Sequence, residues 1–182
     1  MRRPAPSRLE SGATLVEVLV SVLILSLGML SLSSMMAFTV QMPKLSGYRA
    51  TAANIASSHI ERMRANRAGF ASGEYATTSS YDGSFSPRFP QPCAYPDCTV
   101  SSLAIMDDAA TKQWARSALP AGGVLTSCDP NPCTPNSMGN IWIMWQEPTT
   151  RAWLDPVSSD SCPPSVTATN PRPRCLYARF KP

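Results

Sequence analysis

The sequence predicts an α+β protein: a long N-terminal helix, then a disulfide-rich head in which helix packs on a small antiparallel sheet. Three observations carry this. The 28 residues from Ala13 to Val40 hold one charge, Glu17. Apolar residues then recur at helical spacing from Leu45 to Met63. Three β-rich segments and all six cysteines fall in the C-terminal half. The averages of the 182-residue chain hide this partition. Its hydrophobic share of 43% excludes both a plainly disordered chain and a multi-span membrane protein. Charged residues are 15%, against roughly 25% in an ordinary soluble domain. The 18 prolines are nearly twice the usual share of about 5%.

Residues 1–12 are polar and basic, with Arg2, Arg3 and Arg8. No charge occurs from Val18 to Pro43. A membrane-spanning helix needs about 20 mostly apolar residues, so the run is long enough. The arginines ahead of it keep the N-terminus cytoplasmic and send the chain after about Gln41 across the membrane. A secretory signal carries its small-residue cleavage site after the apolar run. Here the small pair Ser11-Gly12 precedes it. Cutting after Gly12 removes the leader and leaves the apolar helix on the mature chain. On topology alone the alternative is an uncleaved signal anchor. Glu17 breaks the tie. A carboxylate within a membrane helix costs about 2.5–3.5 kcal/mol on insertion scales and marks function. Five residues after Gly12, it is placed to pair with a new Ala13 amine on a neighbouring copy and so to set register. The plainer alternative is a glutamate partly solvated at the cytoplasmic interface.

This arrangement of a short basic leader, Gly12 at the cut, Glu17 four residues after the first mature residue and a long apolar helix resembles the class III leader and helix of type IV pilins and pseudopilins. The resemblance covers about the first third of the chain. It implies that Gly12 and Ala13 form the prepilin peptidase site and that Glu17 sets subunit register. Family members usually begin with Phe or Met where this chain has Ala13, which leaves N-methylation of that amine open. Any local melting on assembly centres near Gly28. The segments are then 1–12 leader, 13–40 membrane and assembly helix, 41–69 amphipathic stalk helix and 70–182 head.

Pro43 and Gly47 are expected to kink or interrupt the helix. The pattern resumes with Leu45, Tyr48, Ala52, Ile55, His59 and Met63, whose steps of three and four place one stripe on one face, to be packed on the head. Arg62, Arg64 and Arg67 suit a helix C-terminus and read as a solvated end. His59, the one histidine, reads as packed or at the stripe's edge. Asn54, Ala56, Glu61, Met63, Arg64, Ala65 and Asn66 resemble the helix end of minor pilins of the PilV type.

From Gly69 to Pro92 the chain reads as a long loop. A helix starting at Asp107 or Asp108 runs to about Leu119, where Pro120 and the Gly122-Gly123 turn stop it. Strands follow at Val124–Cys128, Ile141–Glu147 and Cys175–Phe180. A helix on a small antiparallel sheet is the simplest packing, and the pilin resemblance implies that the long helix supplies one wall of the core. Trp142 and Trp145 fall on opposite faces of one strand, while Trp114 and Trp153 read as packing residues.

Cys93, Cys98, Cys128, Cys133, Cys162 and Cys175 permit about 15 pairings, and the sequence does not choose among them. A location outside the cytoplasm favours disulfides. Local closure of the two Cys-x4-Cys pairs would leave Cys162 with Cys175. The competing reading is a zinc site made from the same two pairs.

Nothing in the sequence points to catalysis: there is no G-x-S-x-G, no H-E-x-x-H and no P-loop. Asp155 and Asp160 read as surface acids in loops. No cofactor and no metal are expected. Of the 16 basic and 12 acidic residues, the leader holds three and one (Arg2, Arg3, Arg8; Glu10), which leaves 13 and 11, a net of +2. That balance, without a basic docking motif, argues against nucleic-acid binding. Arg172, Arg174, Arg179 and Lys181 read as a surface or subunit contact. The resemblance implies a structural minor pilin that primes type IV pilus assembly, on which twitching motility and adhesion depend. Its implied partners are the prepilin peptidase, inner membrane lipid, other minor pilins, the major pilin and a large tip adhesin. It would sit single-pass in a bacterial inner membrane with its head in the periplasm, then at the pilus tip. The alternatives are a type II secretion minor pseudopilin and a signal-anchored periplasmic enzyme or binding module.

Overall fold

One helix, α1, runs from Leu15 to Ala65. The computed structural model describes residues 12, 14–76, 93, 96–147, 160–167, 169 and 171–182. After α1 come α2 (Arg67–Ala71), α3 (Val100–Ala118), β1 (Gly123–Asp129), β2 (Met138–Trp145), α4 (Pro164–Thr167) and β3 (Arg174–Phe180). The protein is therefore α+β, with a long N-terminal helix and a small antiparallel sheet. It divides into two compact units, Met1–Lys44 and Leu45–Pro182. The first half of α1 is apolar and exposed all round; the second half helps to build the core of the head.

Pro43 and Gly47 do not interrupt α1, contrary to the sequence expectation. Proline removes one N–H and crowds the preceding turn, a local penalty of about 3 kcal/mol. The second half survives it because burial holds it. Ala52, Ile55, His59 and Met63 are fully buried and Leu45 and Tyr48 half-buried, so the stripe read from the sequence is the face that packs. Each large aliphatic side chain buried this way contributes about 1.5–3 kcal/mol.

At Asn66 the chain turns and restarts as α2, which breaks the stalk helix expected to run to residue 69 and ends at Ala71, just inside the stretch expected to be loop. Asn66 caps α2 by accepting from the Gly69 N–H at 3.2 Å. The helix closes with Gly73 N–H on the Phe70 carbonyl and Glu74 N–H on the Gly69 carbonyl. That paired closure needs a left-handed residue, and Gly73 supplies it with φ of 83°. The remainder of the expected loop, 77–92, lies outside the described residues.

Helix α3 begins seven residues before the expected start. Thr99 and Ser102 cap it reciprocally, and Asp107 and Asp108 lie mid-helix. The two aspartates resemble a helix start in sequence. In the fold each has a cation within reach, Arg62 and Lys112 respectively, which allows a carboxylate in a helix interior.

The sheet order is β1-β2-β3, antiparallel throughout. Its inner face carries Val124, Thr126 and Cys128, then Gly139, Ile141, Ile143 and Trp145, then Leu176, Ala178 and Phe180. These join Ala52, Ile55, Met63, Phe70, Tyr75, Ala104, Ala115 and Leu119 in one core. On the outer face Met144 and Cys175 pack with Leu125, Trp142, Cys162 and Val166 of α4. Trp145 is thus a core residue and Trp142 lies on the opposite face, stacked on Tyr177 with ring centroids 5.1 Å apart. Trp114 is exposed rather than packed; Trp153 lies outside the described residues.

Gly139 sits beneath the Phe180 ring, which leaves no room for a Cβ. Gly139→Ala is expected to lower head stability by about 1–3 kcal/mol through overpacking, read as a fall in the urea midpoint with an unchanged slope.

Candidate functional site

The exposed apolar stretch Leu15–Ala37 has 23 residues. At about 1.5 Å per residue it extends roughly 34 Å, against about 30 Å for a bilayer's hydrocarbon core. It is long and apolar enough to span a membrane. Lipid offers no hydrogen bonds, so its polar side chains must be satisfied within the helix. They are. The hydroxyls of Ser21, Ser26, Ser31, Ser33 and Ser34, and of Thr39 just beyond the stretch, each donate to a backbone carbonyl three or four residues earlier, at 2.7–3.0 Å.

Glu17 is satisfied in a different way. Its Oε2 accepts from Thr14 N–H at 2.9 Å and from Thr14 Oγ1 at 3.1 Å, while Glu17 N–H donates to Thr14 Oγ1 at 3.3 Å. Thr14 and Glu17 therefore form a reciprocal cap on the first turn of α1. The reading of Glu17 as a register residue overlooked Thr14. The signal was in the sequence, since Thr-x-x-Glu before an apolar run is a cap signature. The hydrogen bonds described for the Glu17 carboxylate both fall on Oε2. Gly12 has open space around it, and Ala13 lies outside the described residues. Ser21 and Gly28 follow Glu17 at steps of four and seven, so a small hydroxyl and a bare backbone share its face.

At the other end of α1 the head is fastened by polar contacts, of which those of Asn66, Tyr75 and Asp107 are the most buried. Arg62 Nη1 reaches Asp107 Oδ1 on α3 at 3.2 Å. Tyr75 donates to Asp107 Oδ2 at 2.9 Å, and burial foremost pushes its hydroxyl above its ordinary range, so it stays a neutral donor. Asn66, already the cap of α2, donates to the Val100 carbonyl at 2.8 Å and to Tyr75 Oη at 3.3 Å. Arg64 pairs with Glu61 at 2.7 Å and donates to the Lys181 carbonyl at 3.3 Å. The arginines at this helix end are therefore more than a solvated terminus: two of them tie α1 to α3 and to the end of β3.

Arg174 corrects the expectation of a basic surface cluster. It is 1% exposed, with Nε 3.0 Å from Asp160 Oδ2 and 3.7 Å from Glu147 Oε2. Asp160 also accepts the Cys175 N–H at 3.0 Å, so it is a core anchor and not a surface acid. Burial of the guanidinium requires that pairing, because an unpaired buried charge is far more costly than a solvated one. Arg179 is exposed and pairs with Asp129 at 2.9 Å. Asp155 lies outside the described residues.

Disulfides join Cys93 to Cys98, Cys128 to Cys133 and Cys162 to Cys175. No cysteine is free. The four sulfurs of the two Cys-x4-Cys pairs are thus bonded to one another and present no thiolates to zinc. Among the described residues no group of three or more His, Cys, Asp or Glu is arranged to hold a metal ion. Compared with protein-family models, curated proteins and solved structures, the chain matches none.

Two measurements follow. The denatured, unreduced chain is expected to show no free thiol and, after reduction, six; thiols before reduction would contradict the pairing. Arg174→Met is expected to lower head stability by about 3–5 kcal/mol, because Asp160 and Glu147, both partly buried, are left without their cation. A midpoint close to that of the parent in urea would contradict this.

Proposed function

We propose that this chain is a structural minor pilin of a type IV pilus, anchored by the apolar half of α1 and assembled through it. The observation that carries the reading is one arrangement: a basic leader ends at Gly12, and an apolar helix follows with a single carboxylate in its first turn. The α+β layout supports it, since the second half of the same helix supplies a wall of the head. Prepilin peptidase cuts between Gly12 and Ala13. The helix then leaves the inner membrane to join partner helices, and the head, outside the cytoplasm, makes lateral contacts with other minor pilins, the major pilin and a tip adhesin. The role is templating rather than catalysis.

In this reading Glu17 has two tasks. Its Oε2 caps the helix on Thr14, which lessens the cost of holding a carboxylate in lipid. The carboxylate as a whole meets the Ala13 amine of a neighbour and fixes stagger. Ser21 and Gly28 on the same face admit close approach of a second helix.

N-terminal sequencing of the mature protein is expected to begin at Ala13; Met1, or a start beyond residue 40, would sink the reading. Deleting the gene is expected to abolish surface pili with secretion intact; the reverse pattern identifies a type II secretion pseudopilin instead. Glu17→Ala and Thr14→Ala separate the two tasks of the carboxylate. Both lose the cap, by about 0.5–2 kcal/mol, and both are expected to insert and be cleaved. Only Glu17→Ala is expected to lose co-purification with the other minor pilins. Equal behaviour of the two variants would leave Glu17 with the cap alone.

A further inference from the structure

The one histidine of the chain is buried without exposure on the wall that α1 gives to the head. Thr111 of α3 lies 2.8 Å from its Nδ1. A hydroxyl has one proton, and that of Thr111 goes to the Asp107 carbonyl at 2.8 Å. With that proton on the carbonyl, Thr111 accepts from the imidazole, which assigns the proton to Nδ1 and a lone pair to Nε2. Nε2 is buried with no hydrogen-bond partner. The Tyr75 ring stands edge-on, with centroids 5.7 Å apart and planes at 74°.

The charged and titratable groups on the elements around this ring make no bond to Nε2. From α1 comes Arg62; from α3 come Asp107, Asp108 and Lys112; from the turn after α2 comes Tyr75. Asp107 gives one oxygen to Arg62 and the other to Tyr75. Asp108 pairs with Lys112 at 2.6 Å. A second proton on the imidazole would meet no acceptor and two cations.

We infer that His59 is an acid-operated latch: neutral, it fastens α1 to α3 through Thr111, and on protonation it releases that wall of the head. Burial first, then the charges of Arg62 and Lys112, hold the imidazole well below its ordinary range, at about 3. The unfolded chain takes up the proton near 6.5. The latch is therefore fully closed above about pH 6.5. Its contribution is lost as pH falls from there toward 3, with the unfolding constant rising about tenfold per pH unit. The inference does not rest on the assembly reading, since it needs only the folded head.

The full chain in detergent, labelled with 15N-histidine, tests it directly because only one imidazole reports. The expected result is an Nδ1–H tautomer in the folded protein that does not titrate between pH 8 and pH 5. Urea unfolding should gain up to tenfold in its constant per pH unit below 6.5, beyond the gain seen in His59→Asn. Asparagine keeps a donor for Thr111 and cannot titrate. A folded-state histidine titrating near 6.5, an Nε2–H tautomer, or the same acid dependence in His59→Asn would each overturn the latch. Where His59→Asn does not fold, the tautomer and titration of the parent chain decide alone.

Discussion

The packing of Ala52, Ile55, His59 and Met63 into the head is the contact on which the rest depends. It keeps α1 helical beyond Pro43, where propensity alone would favour a stop. It also gives the three strands something to bury against, since a small sheet is not stable by itself in water. Phe70, Tyr75, Ala104 and Ala115 reach the same cluster from α2, its following turn and α3. A change that loosened this stripe would therefore be felt in every element of the head.

Polar satisfaction follows opposite rules at the two ends of α1. In the apolar stretch each hydroxyl turns back on its own helix, and Glu17 on Thr14, so the segment needs no partner to remain whole in lipid. In the head the satisfied groups lie far apart in sequence: Arg62 with Asp107, Asn66 with Val100, Arg174 with Asp160. The first pattern is local to one helix; the second joins elements distant in the chain. The disulfide from Cys162 to Cys175 acts in the same sense, since Asp160 and Arg174 stand beside its two ends.

Much of this was legible along the chain because it is local. The apolar run, the stripe of the stalk, the β-formers of Ile141–Glu147 and the alternation in Cys175–Phe180 are signals of consecutive residues, and these survive without neighbours. The end of α3 was legible too, where Pro120 and Gly122 mark it. Its start was not, because Asp107 and Asp108 imitate a cap until Arg62 and Lys112 are seen to pair with them. Arg174 and Asp160 misled for the same reason: charged residues in a Pro-rich sequence read as surface until a partner makes burial tolerable.

By itself, the sequence determined that the chain begins with an apolar helix carrying one carboxylate and continues into a cysteine-rich α+β head, because hydrophobic run length and spacing are properties of consecutive residues. Only the tertiary structure decided which polar groups are buried, which groups surround His59, and that α1 passes through Pro43. Those outcomes depend on partners that folding brings together or on geometry that the neighbouring turn must supply, and residue types along a line do not contain them.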